Sequence, residues 1–392
     1  MTAKLFQPIR VGRMDLQHGV VLAPLTRNRA DDNHVVGDIQ VEHYALRATV
    51  PGTFIISEAT YVTPRDAGLD YRNIPGLYSS EQIAAWKKVV DAVHAKGSFI
   101  YCQIWTVGRR SIPEILEEAD PSYPYLSAGN LPVEGRSRAP RAMTKHEIKD
   151  YVQYYASAAR AAVEGAGFDG VEIHGAGGYL ADEFLKNFAN NRTDEYGGTP
   201  ENKGRFYLEV VDAVVEAIGA DRVGVKFSPW ATVPGVEPED PRPTFGYVAR
   251  EIRARHPDIA FLHAVEPRIA GFEAREIKAG ESNDFLREIW RGIPYIADGG
   301  YNRDSAIKEA EEHDSELVAF GRYYTSNPDL PIRLEKDIPL TPYDRSSFYT
   351  PGTTTGYNDF GFATESLDIL AARGVIVGAV SSRLNCSRRP AC

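Results

Sequence analysis

Cysteine is nearly missing from this chain: it occurs three times in 392 residues, at Cys102, Cys386 and Cys392. Three are too few for a disulfide framework, and such low usage suits a reducing compartment. Long apolar runs are also missing, since no stretch approaches the roughly 20 residues that cross a bilayer. Met1 to Arg10 has no apolar core of a secretory signal, so a cytoplasmic protein is expected. There is no excess of positive charge. Lys and Arg number 44 against 54 Asp and Glu, a net charge of -10. That balance counts against nucleic acid or an anionic membrane surface as the main partner. No His, Asp, Glu or Cys cluster has metal-ligand spacing, so no metal site is expected. The one tight glycine cluster, Gly175 to Gly178, lacks the G-x-G-x-x-G spacing of a dinucleotide fold. No internal repeat and no linker divides the chain.

What remains is an ordinary globular composition, 43% hydrophobic and 25% charged, carrying a regular alternation of elements. Leu5–Val11 and Met14–Leu16 around Gly12-Arg13 predict a short N-terminal β-hairpin. Short apolar strands follow at His18–Leu22, Thr53–Ala59, Ser98–Trp105, Val171–Ile173, Arg222–Ser228, Ile259–Val265, Tyr295–Ala297 and Leu317–Phe320. Capping boxes at Ser79/Gln82 and Thr144/Glu147 open helices with an apolar face. The first buries Ile83, Trp86, Val89, Val90 and Val93. Pro200 opens a third helix, and helical stretches recur near Phe245–Arg255, Asn283–Arg291 and Arg303–Glu312. Eight strands alternating with helices predict an α/β fold, a single (β/α)8 TIM barrel. A doubly wound open sheet is the disfavoured alternative. Ser111–Met143, rich in Pro, Ser, Glu and Arg, has no clear period and is expected as a long loop after the third strand. The barrel is expected to fill residues 1–372. Residues 373–392 form a basic tail that is poorly ordered, adds a strand or meets a partner.

In such a barrel, chemistry gathers at the C-terminal strand ends. The polar residues and glycines of this sequence fall there. Thr26 follows the first strand, Ala59 the second, and Gln103 and Trp105 end the third. His174 and Tyr179 follow the fourth, Lys226 lies on the fifth, Gly299-Gly300 follow the seventh and Gly321-Arg322 the eighth. Taken singly, each has a bland reading: Thr26 as a helix cap, Gln103 as a strand-end polar group, Trp105 as core, Arg322 as a surface ion pair. The fourth strand end is the most specific. It reads His174-Gly-Ala-Gly177-Gly-Tyr179, then Arg192-Thr-Asp-Glu-Tyr-Gly-Gly198.

This ordered set resembles the Old Yellow Enzyme family, FMN-dependent ene reductases, whose pattern is His-x-x-Asn/His-x-Tyr followed by Arg-Thr-Asp-Glu-Tyr-Gly-Gly. Ala23-Pro24-Leu25-Thr26-Arg27, Ser282–Phe285, Val265–Arg268, Gly321-Arg322 with Ser326–Leu330, and Tyr343–Tyr349 are similar to family segments too, so the likeness runs from about Leu5 to Asp359. It implies an oxidoreductase that takes electrons from NADPH or NADH onto FMN and reduces the activated C=C bond of an enone or enal, as a monomer or homodimer. By resemblance, Pro24, Thr26, Ala59 and Gln103 surround the flavin ring, with Thr26 near O4 and Gln103 at the pyrimidine edge. Lys226 lies near the N1–O2 edge, and Gly299, Gly300, Gly321 and Arg322 hold the phosphate. His174 would donate to the substrate carbonyl, Tyr179 would protonate the α-carbon, and Trp105, Phe285 and Tyr349 would wall the pocket.

Two positions depart from the pattern. Gly177 stands where the family has Asn or His, which removes one donor to the carbonyl oxygen. Lys226 stands where the family usually has Arg, which keeps the charge but loses the planar fork. The expectation is therefore an ene reductase for a specialised substrate. The alternative is a flavin-binding barrel with weak or no such turnover, or an isomerase or desaturase.

Overall fold

In the computed structural model, which describes residues 2–375 apart from 71, 232–238 and 271–272, eight parallel strands close into a barrel. They are β1 (Val20–Leu22), β2 (Phe54–Ile56), β3 (Phe99–Trp105), β4 (Gly170–Gly175), β5 (Val223–Phe227), β6 (Phe261–Val265), β7 (Tyr295–Asp298) and β8 (Glu316–Phe320). Each pairs with the next, and β8 pairs back onto β1. All eight expected strands are present, and the open-sheet alternative is excluded by that closure.

A main helix follows each strand: α1 (Asp38–Arg47), α2 (Ser80–His94), α3 (Lys145–Arg160), α4 (Pro200–Ile218), α5 (Arg242–Arg255), α6 (Asp284–Trp290), α7 (Arg303–Glu312) and α8 (Leu330–Lys336), with shorter helices in the segments between. The capping boxes form as expected. Ser79 Oγ accepts the Gln82 amide at 3.2 Å and Thr144 Oγ1 the Glu147 amide at 3.2 Å, each worth about 1 kcal/mol. Among the described residues no helix is long and apolar enough to cross a membrane.

Strand period divides the core in two. Val171 and Ile173 of β4, and Val223, Val225 and Phe227 of β5, face the helices in the main core. Val21, Phe54, Tyr101, Phe261, Ile296 and Leu317 fill the barrel interior, with Phe54, Tyr101 and Phe261 in mutual ring contact at 5.2–5.5 Å. The expected hairpin is present as Ile9–Val11 against Met14–Leu16. Its Val11, Met14 and Leu16 join this inner cluster and plug the N-terminal end.

The segment after β3 corrects the sequence reading. Within the expected loop lie a helix, Pro113–Ala119, and a parallel pair, Leu126–Ser127 with Arg141–Ala142. Pro113 sits in the first turn of that helix, where its missing N–H costs nothing. Buried Glu183 holds the segment down: it accepts the Arg109 amide at 2.6 Å, the Ser127 hydroxyl at 2.7 Å and the Ala128 amide at 3.1 Å. Of the tail, residues 376–392 lie outside the described residues.

Candidate active site

The C-terminal mouth of the barrel is built around β4. Glu172 and His174 alternate with Val171 and Ile173, so both point inward. His174 ends half-buried at the rim, in register with Lys226 of β5. Trp105, buried at the end of β3, stacks on it at 6.0 Å and 18°. Tyr179 meets Trp105 edge-on at 4.6 Å and His174 at 5.3 Å. The structure thus brings the three together in one aromatic group, closed behind by Tyr61, stacked on Trp105 at 5.5 Å. Ala59 packs into the same cluster.

The His174 ring has a defined state. Its Nδ1 accepts the Ala176 amide at 3.3 Å, which puts the ring proton on Nε2. Burial, with Lys226 and His263 adding to it, pushes the imidazole down to about 3. It is therefore a neutral N–H donor at pH 7.

The turn between His174 and Tyr179 is tightly held. Gly177 and Gly178 both take left-handed backbone, φ 68° and 73°. The Gly177 amide donates to Ser228 Oγ at 2.8 Å, and the Gly178 amide donates to buried Asp182 at 2.8 Å. Lys186 in turn donates to the Ser228 carbonyl at 2.7 Å. Both turn amides are spent inside the protein. The Gly177 carbonyl accepts Arg110 Nη1 at 2.6 Å, and that guanidinium lies 5.0 Å over the Tyr179 ring.

Beneath the rim, Gln103 Nε2 donates to Glu172 Oε1 at 2.7 Å, and His263 Nδ1 lies 2.6 Å from Glu172 Oε2. Lys226 Nζ donates to Asp298 Oδ2 at 3.0 Å. Burial alone would raise the Asp298 carboxyl, but the Lys226 ammonium, with the His263 ring beside it, holds it well below the carboxylate range. Sequence reading missed Glu172, His263 and Asp298, and also Arg110 and Ser228. The signal was available for the first three: a polar, titratable side chain inside an apolar strand at an inward position.

The remaining expected residues surround this group. Pro24 and Thr26 are half-buried just past β1. Tyr349 lies in a segment clamped to that loop: Arg29 Nη1 donates to the Phe348 carbonyl at 2.6 Å, and Asn28 donates to the Tyr349 carbonyl at 3.2 Å. Phe285, on α6, packs against the main core; among the described residues it makes no ring contact with Trp105, His174 or Tyr179.

Gly299 and Gly300 follow β7 with φ 146° and 68°. A Cβ at Gly299 would lie 3.1 Å from Glu266 Cβ, and one at Gly321 would lie 3.0 Å from Leu25 Cδ2, so side chains are unwelcome at both turns. Arg322, half-buried beside them, reaches only the Tyr343 hydroxyl, at 3.5 Å, and has no carboxylate partner among the described residues. Glycine turns without side chains, exposed at Gly300, beside a guanidinium without a carboxylate fit a phosphate dianion. Trp105 Nε1 is buried without a hydrogen-bond partner among the described residues, as expected where a polar ring system packs on the mouth. The residues present fit FMN.

A mouth with this aromatic group on one side and glycine turns beside Arg322 on the other suits a cofactor-dependent barrel oxidoreductase. The chain belongs to the NADH:flavin oxidoreductase / NADH oxidase family, whose model matches residues 4–341; FMN and NAD(P)H are its cofactors. It is 47% identical to a chanoclavine-I aldehyde reductase of Penicillium roqueforti, over 92% of this chain and 97% of that one. It is 43% identical to a probable inactive dehydrogenase of Claviceps fusiformis, over 96% and 100%. Among solved structures, Old Yellow Enzyme from Pichia sp. AKU4542 superposes with a TM-score of 0.83 at 38% identity, covering 92% of this chain and 94% of that one.

Proposed function

We propose that this chain is an ene reductase acting on α,β-unsaturated aldehydes or ketones. FMN bound at the mouth supplies hydride, drawn from NAD(P)H, to the β-carbon of the alkene. His174, neutral with its proton on Nε2, donates to the substrate carbonyl oxygen as that atom gains charge. Tyr179, 5.3 Å away ring to ring, delivers the proton to the α-carbon. Trp105 fixes both rings. Pro24, Thr26, Ala59, Gln103 and Lys226 line the flavin ring, and Gly299, Gly300, Gly321 and Arg322 hold its phosphate. Phe285 and Tyr349 wall the substrate side.

The observation that carries this reading is the packed His174–Trp105–Tyr179 group with a fixed imidazole tautomer. Relatives named as aldehyde reductases support an enal as substrate. A Tyr179→Phe variant tests the roles. Reduction by NADPH should proceed at the wild-type rate, while enone-dependent reoxidation slows on the order of a hundredfold or more. Equal reoxidation rates would remove Tyr179 as the proton donor. Gly177, together with the relatives named as probable inactive dehydrogenases, favours a second reading, a flavin protein with little turnover or one that isomerises or desaturates.

A further inference from the structure

Five side chains from five strands run across the barrel just beneath His174. Gln103, Glu172, His263 and Lys226 are all buried, and half-buried Asp298 completes the line. The last link joins the two halves: His263 Nε2 lies 3.5 Å from the same Asp298 oxygen that accepts Lys226 Nζ. Two carboxylates, Glu172 and Asp298, are spaced along it by the His263 ring. The line has Gln103 at one end and Lys226 at the other.

An ammonium group in a low-dielectric layer projects a strong field unless a counter-charge stands beside it. Here Asp298 stands 3.0 Å away. The carboxylate also fixes direction, since it takes one of the three Nζ protons and holds the side chain across the β5–β7 gap. A carboxylate so placed weakens the pull of Lys226 on any negative charge at the mouth. FMN gains such charge when it accepts a hydride, two electrons and one proton, from NAD(P)H.

We propose that Asp298 is a positioning residue that tempers the Lys226 cation at the pyrimidine edge of FMN, so that reduced FMN is stabilised less than Lys226 alone would stabilise it. This rests on the reading above that places Lys226 beside the flavin. The consequence is a lower flavin potential and a stronger hydride donor.

The test is the midpoint potential of the purified holoenzyme, measured by anaerobic equilibration with reference dyes. It is run for wild type, Asp298→Asn, Asp298→Glu and Lys226→Met, with FMN affinity measured alongside by fluorescence. Asp298→Asn should shift the reduced-to-oxidised ratio about tenfold toward reduced, which is about 30 mV for a two-electron couple. Asp298→Glu should stay near wild type, and Lys226→Met should fall below it. A purely structural Asp298 would lower FMN affinity or melting temperature and leave the potential unmoved; with Lys226→Met still lowered, that result overturns the proposal alone. An unmoved potential in Lys226→Met would instead overturn the placement of Lys226 at FMN, and the proposal with it. If Asp298→Asn does not fold, Asp298→Ser removes the same charge and is read in the same way.

Discussion

Replacing Gly177 by asparagine should make this protein a faster reductase of simple enones. On the β4 turn, among the described residues, His174 is the side-chain donor to a substrate carbonyl, and both amides of the adjacent turn are committed, Gly177 to Ser228 and Gly178 to Asp182. Restoring one preorganised donor is worth about 3 kcal/mol of barrier, near a hundredfold in rate. The cost is small. Gly177 has φ 68°, a conformation asparagine tolerates better than other residues carrying a Cβ. A Cβ there would meet the Tyr179 ring at 3.4 Å, so the new amide would lie beside the two reacting side chains. Alanine should lose about 1–2 kcal/mol of stability to the left-handed backbone and gain no rate. The assay is single-turnover reoxidation of the NADPH-reduced holoenzyme by 2-cyclohexenone, with thermal melting as a control. If Gly177→Asn is folded, holds FMN and turns over no faster than wild type, the missing donor is not rate-limiting. The oxygen would then be served from elsewhere, for example from Arg110, whose Nη1 reaches the Gly177 carbonyl.

Glu183→Gln should cost about 1–3 kcal/mol in urea unfolding at pH 8, because an amide cannot accept all three of the Arg109, Ser127 and Ala128 donors; a loss under 0.5 kcal/mol would dispute that anchor. Stability should also decline with rising pH through a second carboxyl. Glu316 is pushed up from 4.5 to about 8, by burial first and with Glu309 and Glu266 adding, against the opposing pull of Arg287. A folded value above the unfolded one means the folded state holds the proton longer. The stabilisation is complete below about pH 4.5 and is lost as pH climbs to about 8. Glu316→Gln should flatten that slope in chemical denaturation from pH 5 to 8, and an unchanged slope would assign it to other carboxyls.

The barrel was legible because its strands are short apolar runs and its longer helices carry caps and apolar faces. Trp86, Val89, Val90 and Val93 recur at helical spacing, and all are buried. Helix α1 escaped because its buried residues are Gln40, His43, Tyr44 and Arg47. Arg47, for example, spends its guanidinium on the carbonyls of His43, Tyr324 and Tyr357. No hydropathy pattern marks a helix that docks through polar groups. The site was legible as far as one strand end reaches, through His174, Gly177 and Tyr179. What joins distant strands was not. Asp298 beside Lys226, 72 positions apart, and Arg110 over Tyr179 are products of barrel closure and of the packed segment after β3. That segment looked structureless because its order comes from outside it, from Glu183.

Ene reduction on FMN is tested most directly by the visible spectrum of the purified protein, followed anaerobically through NADPH and then 2-cyclohexenone. It predicts a yellow protein that bleaches with NADPH and regains its colour when the enone is added. A protein that bleaches and stays bleached with enones and enals alike would contradict ene reduction.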